Sequence, residues 1–281
     1  MKFFGAHIDG VPPLANAPET AYLLGASAYS FCPIDARKWT DKPYSESDVE
    51  AFRNLNAGHG FSAQQILPHA SLLLNMCSPD ARKLNLSRIS LIDQMKRCRQ
   101  LGLDRINFHP GATLKEMSED DAIKRVAESI NYVLEKTEGV TAVIENTAGQ
   151  GSNIGYTFAQ IAAMIAGVED KSRVGVCIDT CHANAAGYEM GTEEQYESIW
   201  HEFDQTIGFD YLKGMHINDA MRPTGSRIDR HASLGKGTIG ADFFALIAAD
   251  KRLDGIPMIL ETPDPSLWHI EIDWLKAHEN K

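Results

Sequence analysis

The sequence predicts an α/β protein with the architecture of a (β/α)8 TIM barrel, formed as a single domain over residues 1–281. Eight short apolar runs alternate with eight amphipathic stretches, and no change in composition marks a second domain. Strands that alternate with helices form right-handed parallel βαβ units, and eight such units in about this length close into a barrel. A doubly wound sheet is the weaker alternative.

The first half of the chain supplies four strand–helix pairs. Ser45 and Ser118 precede acidic residues, which is the pattern of a helix that begins at an N-cap. Gly102 ends a stretch in which apolar residues recur at helical spacing. We therefore predict strands at 2–8, 28–32, 64–67 and 105–108 and helices at 14–25, 45–56 and 87–101, with a fourth helix that begins at Ser118.

The second half repeats this alternation. The run 174–178 is apolar, uninterrupted and too short for a helix, which is typical of a buried strand. Thr192 opens a helical stretch with acidic residues in its first turn. The loops at 33–47 and 218–240 are the longest and most polar, so we expect them to face the substrate. Strands are predicted at 140–144, 174–178, 211–217 and 257–260, and helices at 157–165, 192–207, 241–253 and 267–276.

Side chains that can bind metal ions stand at or just past the ends of these apolar runs. The C-terminal ends of barrel strands form the catalytic face of such a fold, so we expect the side chains to converge there. A single histidine at a strand end, such as His7, is more often a hydrogen-bonded structural residue, although His7 could also contact the site. Burying nine such groups without compensation would be costly. The nine are His69, His109, Glu145, Asp179, His182, His216, Asp229, His231 and Glu261.

Five histidines and four carboxylates are too many ligands for one metal ion. Imidazole and carboxylate at low coordination number are typical of zinc, whereas magnesium prefers oxygen donors. A carboxylate such as Glu145 can bridge two ions. Paired ions about 4 Å apart activate water and hold both the attacking and the leaving oxygen of a phosphodiester. The sequence therefore predicts a zinc centre with several ions, in which manganese could occupy a subset of positions.

The formal net charge of −11 by itself argues against a nucleic-acid partner. Four of the negative charges belong to the predicted centre, however, and three divalent ions would make that centre net positive. No apolar stretch of about 18 residues predicts a membrane span, and the first ten residues lack the apolar core of a signal peptide. The five cysteines include no Cys-x-x-Cys pair and are expected to be reduced packing residues of a cytoplasmic protein.

Three long motifs carry most of these ligands: IENTAG at 144–149, GVCIDTCHA at 175–183, and HIND at 216–219 with GSRIDRH at 225–231. They resemble the three signatures of endonuclease IV, the zinc-dependent apurinic/apyrimidinic (AP) endonuclease family, AP endonuclease family 2. The resemblance extends nearly from end to end, and the motifs are far longer than a chance match would give.

The resemblance implies three zinc ions per chain. It also implies hydrolysis of the DNA phosphodiester 5′ to an abasic site, leaving a 3′-hydroxyl and a 5′-deoxyribose phosphate, together with trimming of blocked 3′ ends. Glu145 would be the bridging catalytic carboxylate, and Glu261 would help to orient the nucleophile. One zinc would be held by His69, His109 and Glu145, a second by Glu145, Asp179, His216 and Glu261, and the third by His182, Asp229 and His231.

The same resemblance implies contacts with duplex DNA at the lesion, where a missing base makes bending cheap. Arg37 matches the inserted arginine and Leu73 an apolar wedge, whereas Leu72 replaces an aromatic tyrosine that is common in the family. Core packing is the alternative for residues 72–74. Residues 9–13 are more acidic than the corresponding loop of the family, and Met221 stands where a lysine is usual. Backbone contacts are expected from Arg227, Arg230 and Lys236, for which the alternative is an ordinary solvated charge.

Two other functions compete with the repair endonuclease. A metal-dependent sugar isomerase or epimerase on a related barrel also uses Glu, Asp and His at strand ends. Such an enzyme needs one or two metal ions, so a third ligand set argues against it. A non-catalytic binding module is the other alternative. The intact ligand set argues against it, because a protein without catalytic activity has no physical need to keep every ligand. The sequence thus predicts a bacterial-type cytoplasmic enzyme that acts as a monomer at the nucleoid, on double-stranded DNA with abasic sites or blocked 3′ ends.

Overall fold

The computed structural model describes residues 1–8 and 14–279 and shows a curled parallel sheet surrounded by helices. Its strands are β1 (Phe3–His7), β2 (Ala28–Ser30), β3 (Arg105–Phe108), β4 (Thr141–Glu145), β5 (Val174–Asp179), β6 (Leu212–His216) and β9 (Pro257–Leu260). They lie in the order β2-β1-β9-β6-β5-β4-β3, and every pair of neighbours is parallel. The predicted TIM barrel is confirmed.

One predicted strand is wrong. Residues 63–65 form a 3-10 helix, and the chain that follows is extended but makes only isolated bridges to β2 and β3. Pro68 lacks the N–H that a strand would need for a continuous ladder. The segment nevertheless closes the barrel, because Leu67 donates its N–H to the Tyr29 carbonyl over 3.0 Å and Asn107 donates its N–H to the Pro68 carbonyl over 2.7 Å.

The helices cover the outside of the sheet. Ser45 and Ser118 cap two of them as predicted, and Gly102 ends a third in the left-handed conformation, with φ of 81°. That third helix begins at Ala81, earlier than predicted, because Asp80 accepts hydrogen bonds from the first-turn N–H groups. The helices are α1 (Asn16–Leu23), α2 (Glu46–His59), α3 (Ala81–Leu101), α4 (Glu119–Glu135), α5 (Phe158–Gly167), α6 (Thr180–Ala186), α7 (Glu193–Thr206), α8 (Ala241–Ala249) and α9 (Trp268–His278).

Two features near the strand ends were not predicted. The short helix α6 starts directly after β5, with Asp179 as its N-cap. Within the predicted loop 218–240, β7 (Asp219–Ala220) and β8 (His231–Ala232) pair as a small antiparallel ribbon. Both features turn polar residues back over the end of the barrel.

The core has two parts. A large cluster packs the helices against the outside of the sheet, and a small one fills the barrel interior. Gly214 leaves the room that Leu67 occupies, since a Cβ there would lie 2.5 Å from a Leu67 methyl carbon. Within residues 1–8 and 14–279, no helix is both long and apolar enough to cross a membrane. The interior cluster consists of Ala28, Leu67, Val143, Cys177 and Ile259.

Candidate metal centre

The C-terminal ends of neighbouring strands bring the predicted ligands together. Glu145 and His216 are the last residues of β4 and β6, whereas His109 and Glu261 directly follow β3 and β9. The closing segment contributes His69. Asp179 is the last residue of β5, His182 lies in α6 and His231 begins β8, whereas Asp229 lies in the loop between β7 and β8. All nine predicted side chains therefore lie at one end of the barrel, as expected for the catalytic face of this fold.

Glu145 lies at the centre of the cluster and is fully buried. Its Oε2 is 3.2 Å from His69 Nε2 and 3.4 Å from His109 Nε2. Its Oε1 is 3.1 Å from His216 Nδ1. One carboxylate thus faces two groups of ligands through its two oxygens, which is the geometry of a bridging ligand.

The ligand atoms fall into compact groups, in each of which all atoms lie within 4.8 Å of one another. His216 Nδ1 is 3.3 Å from Glu261 Oε2, and His182 Nε2 is 3.2 Å from Asp229 Oδ2. Three of the groups have the same members as the ligand sets that the resemblance implies. They are His69, His109 and Glu145; Glu145, Asp179, His216 and Glu261; and His182, Asp229 and His231.

Three of the histidines are oriented by backbone carbonyls. His69 Nδ1 is 2.7 Å from its neighbour's carbonyl, His182 Nδ1 is 2.9 Å from that of Asn146, and His231 Nδ1 is 3.1 Å from that of Glu261. A proton donated from Nδ1 leaves the lone pair on Nε2, which in each case points into the cluster. This arrangement is typical of metal-bound histidine.

The donor set fits divalent ions. Nε2 of His231 is buried without a hydrogen-bond partner among the described residues, although carboxylate oxygens of Asp229 and Asp179 lie 3.3 and 3.6 Å from it. An orphaned ring nitrogen beside two carboxylates is costly in a protein unless it binds something. Imidazole and carboxylate together favour zinc over magnesium.

The charges in the cluster are strongly coupled. Burial by itself would raise the pKa of Glu145, but the surrounding histidines hold that pKa well below its usual range. Burial would likewise lower the pKa of His231, yet Asp179 and Asp229 raise it to about 9. In His69 burial prevails, and its pKa is lowered. Metal ions that bind here replace protons on the histidines, so binding releases protons.

The sequence model of a family described as xylose isomerase-like TIM barrel, AP endonuclease family 2, matches residues 19–278. The chain belongs to this family. The predicted resemblance is thereby confirmed at the level of the family.

Solved structures related to the family's fold include an endonuclease and an epimerase-like protein. Endonuclease IV from Thermus thermophilus is 29% identical with a TM-score of 0.85, over 98% of this chain and 99% of that one. AsfvAP:AG is 18% identical with a TM-score of 0.76, over 99% of each chain. A D-tagatose 3-epimerase-like protein is 19% identical with a TM-score of 0.74, over 98% of this chain and 96% of that one. The last two show the fold alone.

Three asparagines support the centre of this family member and were missed from the sequence. Asn107 donates a hydrogen bond to Oε2 of Glu145. Asn146 accepts a hydrogen bond from the N–H of Asp179 over 2.6 Å, and Asn218 donates one to the carboxylate of Asp179 over 2.7 Å. Each asparagine lies within two residues of a predicted ligand, and that spacing is the signal that could have found them.

His7 and Cys32 extend the cluster on one side. His7 Nδ1 lies 3.0 Å from Glu261 Oε1, and its Nε2 lies 3.6 Å from the Cys32 sulfur. His7 therefore contacts the site, the second of the two roles considered for it. Burial alone would lower the pKa of His7, but Cys32 and Glu261 raise it to about 10.

An open cavity of about 450 Å³ leads to the ligands and is lined by Leu72 and Trp268 as well. Leu72 is 61% exposed, so core packing applies to Leu74, which is 6% exposed, and not to Leu72. Leu73 is partly exposed. Leu72 therefore presents an exposed apolar side chain at the wall of the cavity.

The basic residues predicted to contact DNA differ in their surroundings. Arg37, Arg227 and Arg230 are exposed. Lys236 is also exposed but lines a separate groove with Ile270. The predicted acidic first loop, residues 9–13, lies outside the described residues.

Proposed function

We propose that this protein is a zinc-dependent AP endonuclease that cuts duplex DNA 5′ to abasic sites. The observation that carries the proposal is the third ligand set. His182 and Asp229 approach to 3.2 Å, and His231 and Asp229 approach to 3.3 Å, in a group distinct from the two that share Glu145. A sugar epimerase uses one or two ions and has no chemical need for this set. The 29% identity to an endonuclease IV over nearly the whole chain supports the same proposal.

In the proposed reaction, water adds to phosphorus, and the bond from phosphorus to the 3′-oxygen breaks. The products are a 3′-hydroxyl and a 5′-deoxyribose phosphate. Bound zinc supplies the activation of water and the polarisation of the phosphate. Glu145 holds the first two ligand sets in register through its two oxygens. Glu261, fixed by His7, is placed to orient the attacking water.

The surroundings of the cavity support a DNA substrate. Leu72 is exposed at its wall, where it can enter the gap left by a missing base. Blocked 3′ ends present the same phosphodiester or phosphomonoester chemistry to the same ligands, so we propose 3′-end trimming as a second activity of the site. We further propose that the enzyme acts as a monomer, in the cytoplasm and at the nucleoid. Sedimentation of a stable dimer would contradict the monomeric state.

The test is nicking of a duplex that carries one tetrahydrofuran abasic analogue, beside the same duplex intact. We expect a single cut 5′ to the analogue, lost after prolonged chelation and restored by zinc, with about three zinc ions per chain. The His182→Ala and His231→Ala variants should lose the third ion and the cleavage, whereas His201→Ala, an exposed histidine of α7, should retain both.

Two outcomes would count against the proposal. A fully metal-loaded protein that leaves the abasic duplex intact would show that DNA is not the substrate, and epimerisation of ketoses would then be assayed. Cleavage at the wild-type rate by His182→Ala would show that the third ligand set is not part of the reaction.

A further inference from the structure

Arg227 has a constrained backbone in the loop that follows β7. Its φ is 54°, a left-handed conformation that few residues other than glycine and asparagine adopt. Its N–H donates to the Ala185 carbonyl at the end of α6 over 3.0 Å. Strain of this kind persists only where the surroundings enforce it, and it is concentrated at functional sites.

The side chain of Arg227 is held by an aromatic ring. Its guanidinium carbon lies 4.0 Å from the centroid of Tyr156, well within the range of a cation–π contact. Gly149 makes this approach feasible, because a Cβ there would lie 2.5 Å from Arg227 Nη1 and 3.0 Å from Tyr156 Cγ. The arginine therefore lies across the ring in a slot that a larger residue at position 149 would fill.

Tyr156 is itself anchored. Its hydroxyl donates to both carboxylate oxygens of Glu119 at the start of α4, over 3.1 and 3.0 Å. Gln160 donates to the same carboxylate over 2.8 Å. The ring is thus tied to two helices and can serve as a fixed support for the guanidinium.

The guanidinium has no acidic partner within the described parts of the chain. Arg252, by contrast, is paired with Asp250 and Glu197. Arg227 is exposed and two residues from Asp229, a proposed zinc ligand. An oriented fork of N–H donors without a carboxylate suits the bidentate binding of a phosphate.

We infer that Arg227 is a preorganised DNA-phosphate contact beside the metal centre, and that Tyr156 is its positioning residue. This inference rests on the proposed function for its substrate. Because the guanidinium is already ordered, less side-chain entropy is lost when a phosphate binds. Removing the ring should therefore weaken the phosphate contact although the charge on Arg227 is unchanged.

The experiment is a double-mutant cycle of Arg227→Ala and Tyr156→Leu in the zinc-loaded protein. Arg227→Ala should raise KM about ten-fold with little change in kcat, and should reduce the slope of log(kcat/KM) against log salt by about one. Tyr156→Leu should raise KM about three-fold, and should have no further effect when Arg227 is already alanine. Tyr156→Phe keeps the ring but loses its hydrogen bonds to Glu119, so its KM should lie between those of wild type and Tyr156→Leu.

Binding of the intact duplex, followed by fluorescence anisotropy at several salt concentrations, runs the same cycle without chemistry. It separates this inference from the proposed function, because a wild-type protein that fails to cut would overturn the latter alone. Equal effects of Tyr156→Leu with and without Arg227 would show that the ring acts only on the fold, and would overturn the inference. An unchanged salt slope in Arg227→Ala would do so as well.

Discussion

Asn218 and Asp179 are joined side chain to side chain, with Asn218 Nδ2 donating to Asp179 Oδ2 over 2.7 Å. The same asparagine accepts the N–H of Glu261 over 2.8 Å through its Oδ1. One amide thereby fixes two of the proposed ligands of the second zinc, at the ends of β5 and β9.

Replacement of Asn218 by alanine should weaken the metal centre while every ligand stays in place. Outer partners of metal ligands typically contribute 10- to 100-fold in metal affinity or activity. We expect zinc affinity to fall within that range, measured by competition with a chromophoric chelator. Asn131→Ala, on the outer helix α4, is the control and should leave zinc affinity unchanged. Wild-type affinity in Asn218→Ala would show that these hydrogen bonds do not orient the ligands.

Leu72 and Leu74 are close in sequence but should respond in opposite ways to truncation. Leu74→Ala removes a buried side chain and should lower the free energy of unfolding by about 2–5 kcal/mol. Leu72→Ala removes an exposed one, so stability should change by less than about 0.5 kcal/mol while binding of the abasic duplex weakens. Leu72→Tyr should strengthen that binding, since base–aromatic stacking contributes about 1–3 kcal/mol. Equal binding of the abasic duplex by wild type, Leu72→Ala and Leu72→Tyr would exclude Leu72 as a wedge.

Asp250, which lies between α8 and α7, should make the free energy of unfolding depend on pH. Burial alone would raise its pKa, but hydrogen bonds from Arg252 and Tyr196 lower it. A lowered folded-state pKa stabilises the fold above the unfolded value of about 3.9, and this stability is lost as the pH falls through the folded value. Asp250→Asn should therefore cost about 1–2 kcal/mol at pH 7.

Urea unfolding at a series of pH values checks this prediction. The difference in unfolding free energy between wild type and Asp250→Asn should narrow below about pH 4. Asp204→Asn, an exposed position of α7, should show no comparable difference. A gap that stays constant down to pH 2 would mean that the ionisation of Asp250 does not stabilise the fold.

Cys32 should be the one thiol that reacts readily in the folded protein. It is partly exposed at the cavity, whereas the other four cysteines are buried. Burial raises the pKa of Cys77, Cys177 and Cys181 to about 12, which keeps them as unreactive thiols. An aromatic disulfide reagent at pH 8 should titrate one fast thiol per folded chain, and none in Cys32→Ser. A second fast thiol in the wild type, or any fast thiol in Cys32→Ser, would show that one of the four buried cysteines is accessible.

The sequence predicted the barrel well because its strands and helices have unambiguous periodicity. The apolar run of β5 and the serine caps of α2 and α4 carry that information locally. Most of the ligands could also be found, since they end or directly follow strands whose C-terminal ends share one face of the barrel. Their division into three groups was available only through the resemblance to a known family.

What the sequence did not predict depends on contacts between distant residues. Residues 64–67 were predicted as a strand, but Gln64 and Gln65 belong to a 3-10 helix, and Pro68 with the neighbouring β2 and β3 decides how the rest of the segment pairs. The helix α6 is short and begins inside a motif whose residues are chosen for chemistry. The support of Arg227 by Tyr156 joins residues 71 positions apart, and nothing in either segment alone indicates it.

The segment that closes the barrel, residues 66–69, should depend on bound metal for its stability. Between β2 and β3 the barrel is closed by only a few backbone hydrogen bonds, and His69 lies on the segment that makes them. Zinc held jointly by His69, His109 and Glu145 would link this segment to the ends of β3 and β4. Amide exchange at Leu67 and His69 should then be slow in the loaded protein and faster after chelation, while Val143 and Val176 of the continuous sheet stay protected. Without the metal ion, the barrel would then be least protected at this segment.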